Sequence, residues 1–232
     1  MGPEHKDLPP LAWLYFPPLA ALVVLAADLF NWPVVCEIML RRDAQGGGVL
    51  EWATPLVLLP GIGAAAVALR HLGGHPRQGL IRTWIAAWIL VCCYFAGEEI
   101  NWGQWLFGWQ TPEAFLRFND QQEMNLHNMS NFLDQTPRAF IEAFIFFLGL
   151  MAPLWRRVTG RTLHETGIWA WLLPTHVGMV TALIWSAAQL TDWSGVTMDC
   201  LFNDSELREF YIATFLSLYL LSIWRRARRF AR

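Results

Sequence analysis

Two adjacent carboxylates, Glu98 and Glu99, follow directly on an apolar run that ends at Ala96. Charge at the end of a membrane-spanning helix is costly, and such residues commonly serve an ion or a substrate. Glu123 and His127 lie further along the same segment, four residues apart, so on a helix they share one face. A carboxylate beside an imidazole can orient a general base or supply two ligands to a divalent metal ion. These four side chains therefore predict a catalytic or metal-binding site.

Further polar side chains near this segment are expected to orient a substrate or a metal ligand. They are Asn101, Gln104, Asn125, Asn128 and Glu142. Glu142 lies one turn inside the next apolar run, where a carboxylate should face the interior of a helical bundle and can join the same cavity. The alternative is that Glu98 and Glu99 only end a membrane span, while Glu123 and His127 stabilise a helix on a wet loop.

The composition indicates a membrane protein. Hydrophobic residues make up 55% of the 232 residues and charged residues only 16%, which leaves more apolar surface than a soluble domain can bury. The 14 Trp fit this interpretation because indole rings favour membrane–water interfaces. The net charge is −2 and the arginines form no single basic stripe, which argues against a nucleic-acid partner. Membrane lipids are the expected partners, and a membrane-complex subunit or a second copy of the chain remains an option.

Six apolar segments approach the roughly 20 residues needed to cross a hydrocarbon core of about 30 Å. They cover about 11–30, 52–69, 81–96, 139–155, 168–190 and 210–224. The sequence therefore predicts an all-α fold, a polytopic helical bundle of about six transmembrane helices in one integral membrane domain. The second segment contains Pro55 and Pro60, so we expect it to be kinked and the weakest of the six.

The loop over 97–138 is too apolar to be a solvated linker, since it contains Trp102, Trp105 and Trp109. Thr111-Pro112-Glu113 matches the N-cap, first-turn proline and first-turn acid of a short helix that we expect to continue through Phe118. One or two short helices are therefore expected to lie along the membrane interface in this loop.

The arginines set the expected orientation, because short cytoplasmic loops retain Lys and Arg. With the N-terminus inside, most basic residues fall on the cytoplasmic side and most acids on the other. This predicts two cytoplasmic termini and places the loop over 97–138 on the outer face. Cys36 and Cys200 would then both face the oxidising side, where a disulfide between them is an option. Cys92 and Cys93 lie inside the third span and are expected to be packing residues.

The loop carries a compound motif. It reads E-E-x-x-W-G-Q from Glu98 to Gln104, T-P-E from Thr111 to Glu113 and E-x-N-L-H-N from Glu123 to Asn128. This motif resembles that of an uncharacterised family of bacterial multi-pass membrane proteins and covers about 30 residues. The resemblance to a bacterial family implies a shared site. Combined with the orientation set by the arginines, it leads us to expect a location in the bacterial inner (plasma) membrane, with the motif loop periplasmic.

A weaker similarity is to membrane-embedded, metal-dependent lipid hydrolases such as alkaline ceramidases, which also place acids and histidines at one end of a helical bundle. Those enzymes use several histidines, whereas here only His127 falls on the outer side.

These patterns leave two classes of function open. The leading hypothesis is a membrane-embedded enzyme that acts on a lipid or another amphiphile at the outer face through the carboxylate/histidine site. A divalent metal ion is the cofactor these side chains could hold, which would make the protein a metal-dependent hydrolase. The alternative is a non-catalytic membrane protein: a lipid or quinone binder, a complex-assembly subunit or a proton-coupled transporter. A third option is that the acids serve only folding and topology.

Overall fold

The computed structural model describes residues 8–30, 32, 34, 48–73, 77–116, 131–163, 167–194 and 205–231. All regular structure in these ranges is helical, and five stretches are long and apolar enough to cross a membrane. They are Val49–His71, Gln78–Glu99, Gln135–Thr159, Trp169–Leu190 and Glu206–Phe230. The segment predicted over 11–30 forms the shorter apolar helix Leu11–Ala27. The predicted all-α, multi-pass helical bundle is therefore confirmed.

The α-helices are numbered in chain order. They are α1 (Phe16–Leu29), α2 (Val49–His71), α3 (Gln78–Glu99), α4 (Gln104–Phe107), α5 (Glu113–Leu116), α6 (Asn131–Ala143), α7 (Ala152–Thr159), α8 (Trp169–Leu172), α9 (Met179–Ser194) and α10 (Ser205–Phe230). A π-helical turn over Leu11–Tyr15 precedes α1, and another over Phe144–Met151 joins α6 to α7. 3₁₀ turns at Asn101–Gly103 and His176–Gly178 precede α4 and α9.

The second span is not the weakest of the spans, contrary to expectation. Pro55 and Pro60 lie inside α2, which runs unbroken from Val49 to His71, and α2 has the highest mean hydropathy of the five. A membrane helix tolerates interior prolines when a neighbouring helix packs against it. The neighbour here is α10, the helix most extensively packed against α2.

The fifth span, predicted over 168–190, corresponds to Trp169–Leu190, but its helix is interrupted at Leu173 and Pro174. Leu173 has an extended backbone at φ −85 and ψ 141, because the residue before a proline is disfavoured in the α conformation. The carbonyl of Pro174 accepts a hydrogen bond of 2.8 Å from the buried Arg156 guanidinium. His176 follows the break and packs edge-on against Trp13, with 5.1 Å between the ring centroids.

The helix α10 is the axis of the bundle. Its Tyr211, Phe215 and Tyr219 are buried, and small residues on neighbouring elements allow close approach. A Cβ added at Gly149 or Gly178 would lie 2.4 or 2.5 Å from the Phe215 ring, so this ring fills a space made by two glycines.

Tyr219 ties three helices together. Its hydroxyl donates to the carbonyl of Leu172 at 2.7 Å and accepts from Trp84 Nε1 at 2.7 Å. Tyr219→Phe is expected to lower the free energy of unfolding by about 1–3 kcal/mol, because two buried partners lose their bonds. Thermal unfolding in detergent checks this, with the exposed Tyr15→Phe as the matched control. Equal melting temperatures for the two variants would contradict the prediction.

Candidate functional site

The candidate site begins where α3 ends. Glu98 is only 4% exposed, and Glu99, the last residue of α3, is half-buried. The chain then turns through three residues with positive φ: Asn101 at 48°, Trp102 at 52° and Gly103 at 85°. Two successive non-glycine residues in the left-handed region are uncommon, and such strain concentrates at functional sites.

The turn brings Trp102 back onto α3. Its Nε1 donates a hydrogen bond of 2.6 Å to Glu98 Oε1. The indole lies over Gly97, where an added Cβ would be 2.9 Å from the ring, so only glycine fits at this position. The Tyr94 ring packs edge-on against the same indole, with 6.2 Å between centroids. The strained turn therefore holds the Glu98 carboxylate through Trp102.

Trp102→Phe is expected to lower the free energy of unfolding by about 1.5–3 kcal/mol, the usual loss of a hydrogen bond to a charged group. Phenylalanine keeps a ring over Gly97 but lacks the indole N–H. Thermal unfolding in detergent measures the effect. The exposed Trp169→Phe is the control for loss of indole area, and a similar melting temperature for both variants would show that the Glu98 bond is not stabilising.

Two acids of α10 approach Glu99. One carboxylate oxygen from each of Glu99, Glu206 and Glu209 lies within 4.8 Å of the others. Glu206 and Glu209 are three residues apart, so they share a face of the first turns of α10. Glu206 and Glu209 are not among the predicted site residues, because acids in the first turns of a helix are already explained by capping and by the helix dipole. The signal for them in the sequence is the E-x-x-E spacing, which places both side chains on one face of α10.

Arg138 joins the acids of α6 and α10. Its Nη1 donates to Glu209 Oε1 at 3.1 Å, and its Nε donates to Glu142 Oε1 at 3.2 Å. Arg138 therefore links Glu142 to the group formed by Glu99, Glu206 and Glu209. The position of Glu142 near the site was expected from the sequence.

A cavity of about 630 Å³ opens beside the acids, between α3, α6 and α10. Its polar end is formed by Glu98, Glu99, Arg138 and Glu209. The rest of its wall is mostly apolar and includes Leu90, Tyr94, Phe95, Phe140, Ile141 and Ile212. The volume is in the range of pockets that hold one small ligand.

The other predicted site residues divide into two groups. Asn101 is buried in the left-handed turn, and Gln104 Nε2 donates to Thr111 Oγ1 at 2.9 Å, which ties α4 to the residues before α5. The predicted helix from Thr111-Pro112-Glu113 is present as α5. The remaining predictions fall on residues outside the described ranges. They concern Glu123, Asn125, His127, Asn128, the end of the helix at Phe118 and the pair Cys36 and Cys200.

Three carboxylates this close need compensation of their charge. Oxygens within 4.8 Å of one another can all reach one divalent cation at the usual ligand distances of roughly 2.0–2.6 Å. An all-oxygen set suits Mg²⁺, Ca²⁺ or Mn²⁺ better than softer metals. The same group can instead share protons, as paired carboxyls do in enzymes that divide acid and base roles. The geometry thus fits acid–base or metal-assisted chemistry.

The chain matches no protein-family model, no curated protein and no solved structure. The function is therefore argued from the geometry of the site.

Proposed function

We propose that the protein is a membrane-embedded enzyme that acts on a lipid or another amphiphile at the outer membrane face. One observation carries this proposal: the cavity is apolar along most of its wall and acidic at one end. Such a cavity matches a molecule with a hydrocarbon chain and a polar head. The head would then meet Glu98, Glu99 and Glu209.

The carboxyl groups can supply the acid and the base for hydrolysis of a bond in the head group. One carboxyl that holds a proton can act as general acid while a neighbouring carboxylate accepts a proton from water. A divalent cation bound by Glu99, Glu206 and Glu209 would instead polarise a carbonyl or activate the water. Arg138, hydrogen-bonded to Glu209 and Glu142, would keep these side chains in place.

The proposed location is the bacterial inner (plasma) membrane, with both termini cytoplasmic and the site on the periplasmic side. The distribution of charge along the helices supports this orientation. The helix α10 starts with Glu206 in its first turn and has Arg228 and Arg229 in its last. The helix α2 likewise has Glu51 in its first turn and Arg70 in its last. Arginines favour the cytoplasmic side of a membrane.

A conversion assay tests the proposal. Purified protein is incubated with vesicles of a total bacterial lipid extract, and the lipids are compared by mass spectrometry over time. At least one amphiphile is expected to be converted, and Glu99→Gln is expected to slow this step by about 10²–10⁴-fold, the typical contribution of an acid or base. The exposed Glu113→Gln makes the same chemical change away from the cavity and should leave the rate unchanged.

Two further measurements distinguish a metal-dependent enzyme, a metal-free enzyme and a non-catalytic binder. Elemental analysis of the purified protein should show a divalent metal in a one-to-one ratio if the carboxylates hold one, and Glu99→Gln should lose it. An amphiphile that co-purifies but is never converted would contradict the enzyme and favour a lipid or quinone binder.

A further inference from the structure

We infer that the cavity binds a single-chain amphiphile with a cationic head group, and that this ligand enters sideways from the bilayer between α3 and α6. The inference specifies the ligand of the site in the proposed function and rests on that proposal for the role of the cavity. Its support comes from the length of the cavity, its open side and its charge.

A cluster of aromatic side chains lies next to the lining residues of the cavity along α3 and α6, toward the middle of the bundle. Trp88 of α3 contacts Phe144, just after α6, with 4.5 Å between the ring centroids. Tyr219 of α10 packs edge-on against both rings, at 5.8 Å from Trp88 and 5.4 Å from Phe144. The lining residues of α3 start above this contact, at Leu90, and end at Glu99. Nine helical steps correspond to about 13 Å, so the cavity is a short slot with one acidic end.

The side of the slot is open to the lipid. Leu90 of α3 is 69% exposed and Phe140 of α6 is 64% exposed, although both line the cavity. An apolar side chain on the outside of a membrane-spanning helix meets hydrocarbon, not water. A ligand can therefore pass between these two side chains without leaving the bilayer, which favours a membrane-dissolved molecule over a water-soluble one.

The charges at the acidic end select the head group. Among the described residues, three carboxyl side chains and one guanidinium line the cavity, and Glu206 lies against this group. The guanidinium of Arg138 is hydrogen-bonded to Glu142 and Glu209. An anionic head would be repelled by the carboxylates of Glu98, Glu99 and Glu209, whereas an ammonium group would be attracted to them. The volume of about 630 Å³ suits one chain with a small head.

Equilibrium binding of radiolabelled dodecylamine tests the inference. The protein is reconstituted in phosphatidylcholine nanodiscs, with empty nanodiscs as the blank, and unlabelled dodecylamine, dodecanol and dodecanoic acid compete for the site. Dodecylamine should bind in a one-to-one ratio, and at least about tenfold more tightly than the alcohol or the acid, a preference typical of a single charged contact. Equal or tighter binding of dodecanoic acid would overturn the inference.

Two variants locate the binding. Ile141→Trp fills the cavity and should abolish dodecylamine binding, while Val158→Trp adds the same bulk at an exposed position outside the cavity and should not. Glu209→Gln keeps the shape and should reduce the preference for the amine over the alcohol by several fold. Binding that survives both Ile141→Trp and Glu209→Gln would place the amine elsewhere and overturn the inference.

The outcome is distinguishable from that of the proposed function. Dodecylamine binding at the cavity without any lipid conversion would support this ligand class and contradict the enzyme. Conversion of an anionic or neutral lipid, with no preference for the amine, would support the enzyme and contradict this inference.

Discussion

Replacing Gly61 with leucine is expected to prevent α2 from packing against α10 and to leave no monodisperse protein after extraction into detergent. A Cβ at Gly61 would lie 2.7 Å from the Cα of Ser217 and 3.1 Å from its carbonyl oxygen. These are backbone atoms of the central helix, which cannot swing away as the end of a side chain can. Even Gly61→Ala is expected to cost about 1–3 kcal/mol, the usual penalty for overpacking. Size-exclusion chromatography and thermal unfolding measure both effects.

Gly63 provides the matched control on the same helix. An added Cβ there meets nothing within 4 Å. Alanine is the better helix former by about 1 kcal/mol, so Gly63→Ala should leave the melting temperature unchanged or raise it. Similar melting temperatures for the two alanine variants would contradict the close approach of α2 and α10. The contrast matters for function because α10 carries Glu206 and Glu209 to the site.

The sequence predicted the spans well but made them too short. The second and third spans were predicted over 52–69 and 81–96, and their helices cover Val49–His71 and Gln78–Glu99. Hydropathy detects only the part of a helix that lies in hydrocarbon, whereas the backbone stays helical among polar residues at the ends. Glu98 and Glu99 lie in the unpredicted end of α3. Glu206 and Glu209 lie in the unpredicted start of α10, whose span was predicted over 210–224.

The positions of Glu98 and Glu99 were predictable because two charges directly after an apolar run are costly in a membrane. Glu206 and Glu209 were not, because the first turn of a helix favours acids for local reasons. Only the packing of α3 against α10 brings the two sets together, and that contact joins residues distant in sequence. The left-handed conformation of Trp102 was also unpredictable, since an aromatic residue rarely adopts it.

Removing carboxylates from the site is expected to stabilise the protein. Two unit charges no more than 4.8 Å apart repel each other by at least about 3 kcal/mol at an effective dielectric constant near 20. The side chains of this group are partly exposed, so screening reduces the effect. Glu99→Gln is expected to raise the free energy of unfolding by about 1 kcal/mol. Glu209→Gln is expected to give a smaller gain, because it also weakens the bond that Glu209 accepts from Arg138. Thermal unfolding at neutral pH and low salt measures the change.

Arg138→Gln is the opposite test in the same network. It removes the guanidinium that bonds Glu209 and Glu142 and so takes one positive charge away from the carboxylates. Losing one partner of a fully buried ion pair costs about 3–5 kcal/mol. Arg138 is 26% exposed, so a loss of about 2 kcal/mol is the reasonable expectation after screening. The double variant Arg138→Gln/Glu209→Gln should recover part of this loss, because it also removes one of the negative charges that Arg138 attracted.

The direction of the change in melting temperature shows whether the acids are retained for catalysis or for folding. If the acids serve only folding, their pairing with Arg138 should stabilise the protein, and each Glu→Gln change should lower the melting temperature. If the acids are retained for function despite their repulsion, neutralising them should raise the melting temperature while the lipid conversion is lost. Stability gained together with activity lost is the result that a purely structural ion-pair network cannot produce. A lower melting temperature for Glu99→Gln, measured with a chelator present so that loss of a bound metal ion cannot cause it, would therefore favour the structural role and remove the main support for an acidic catalytic site.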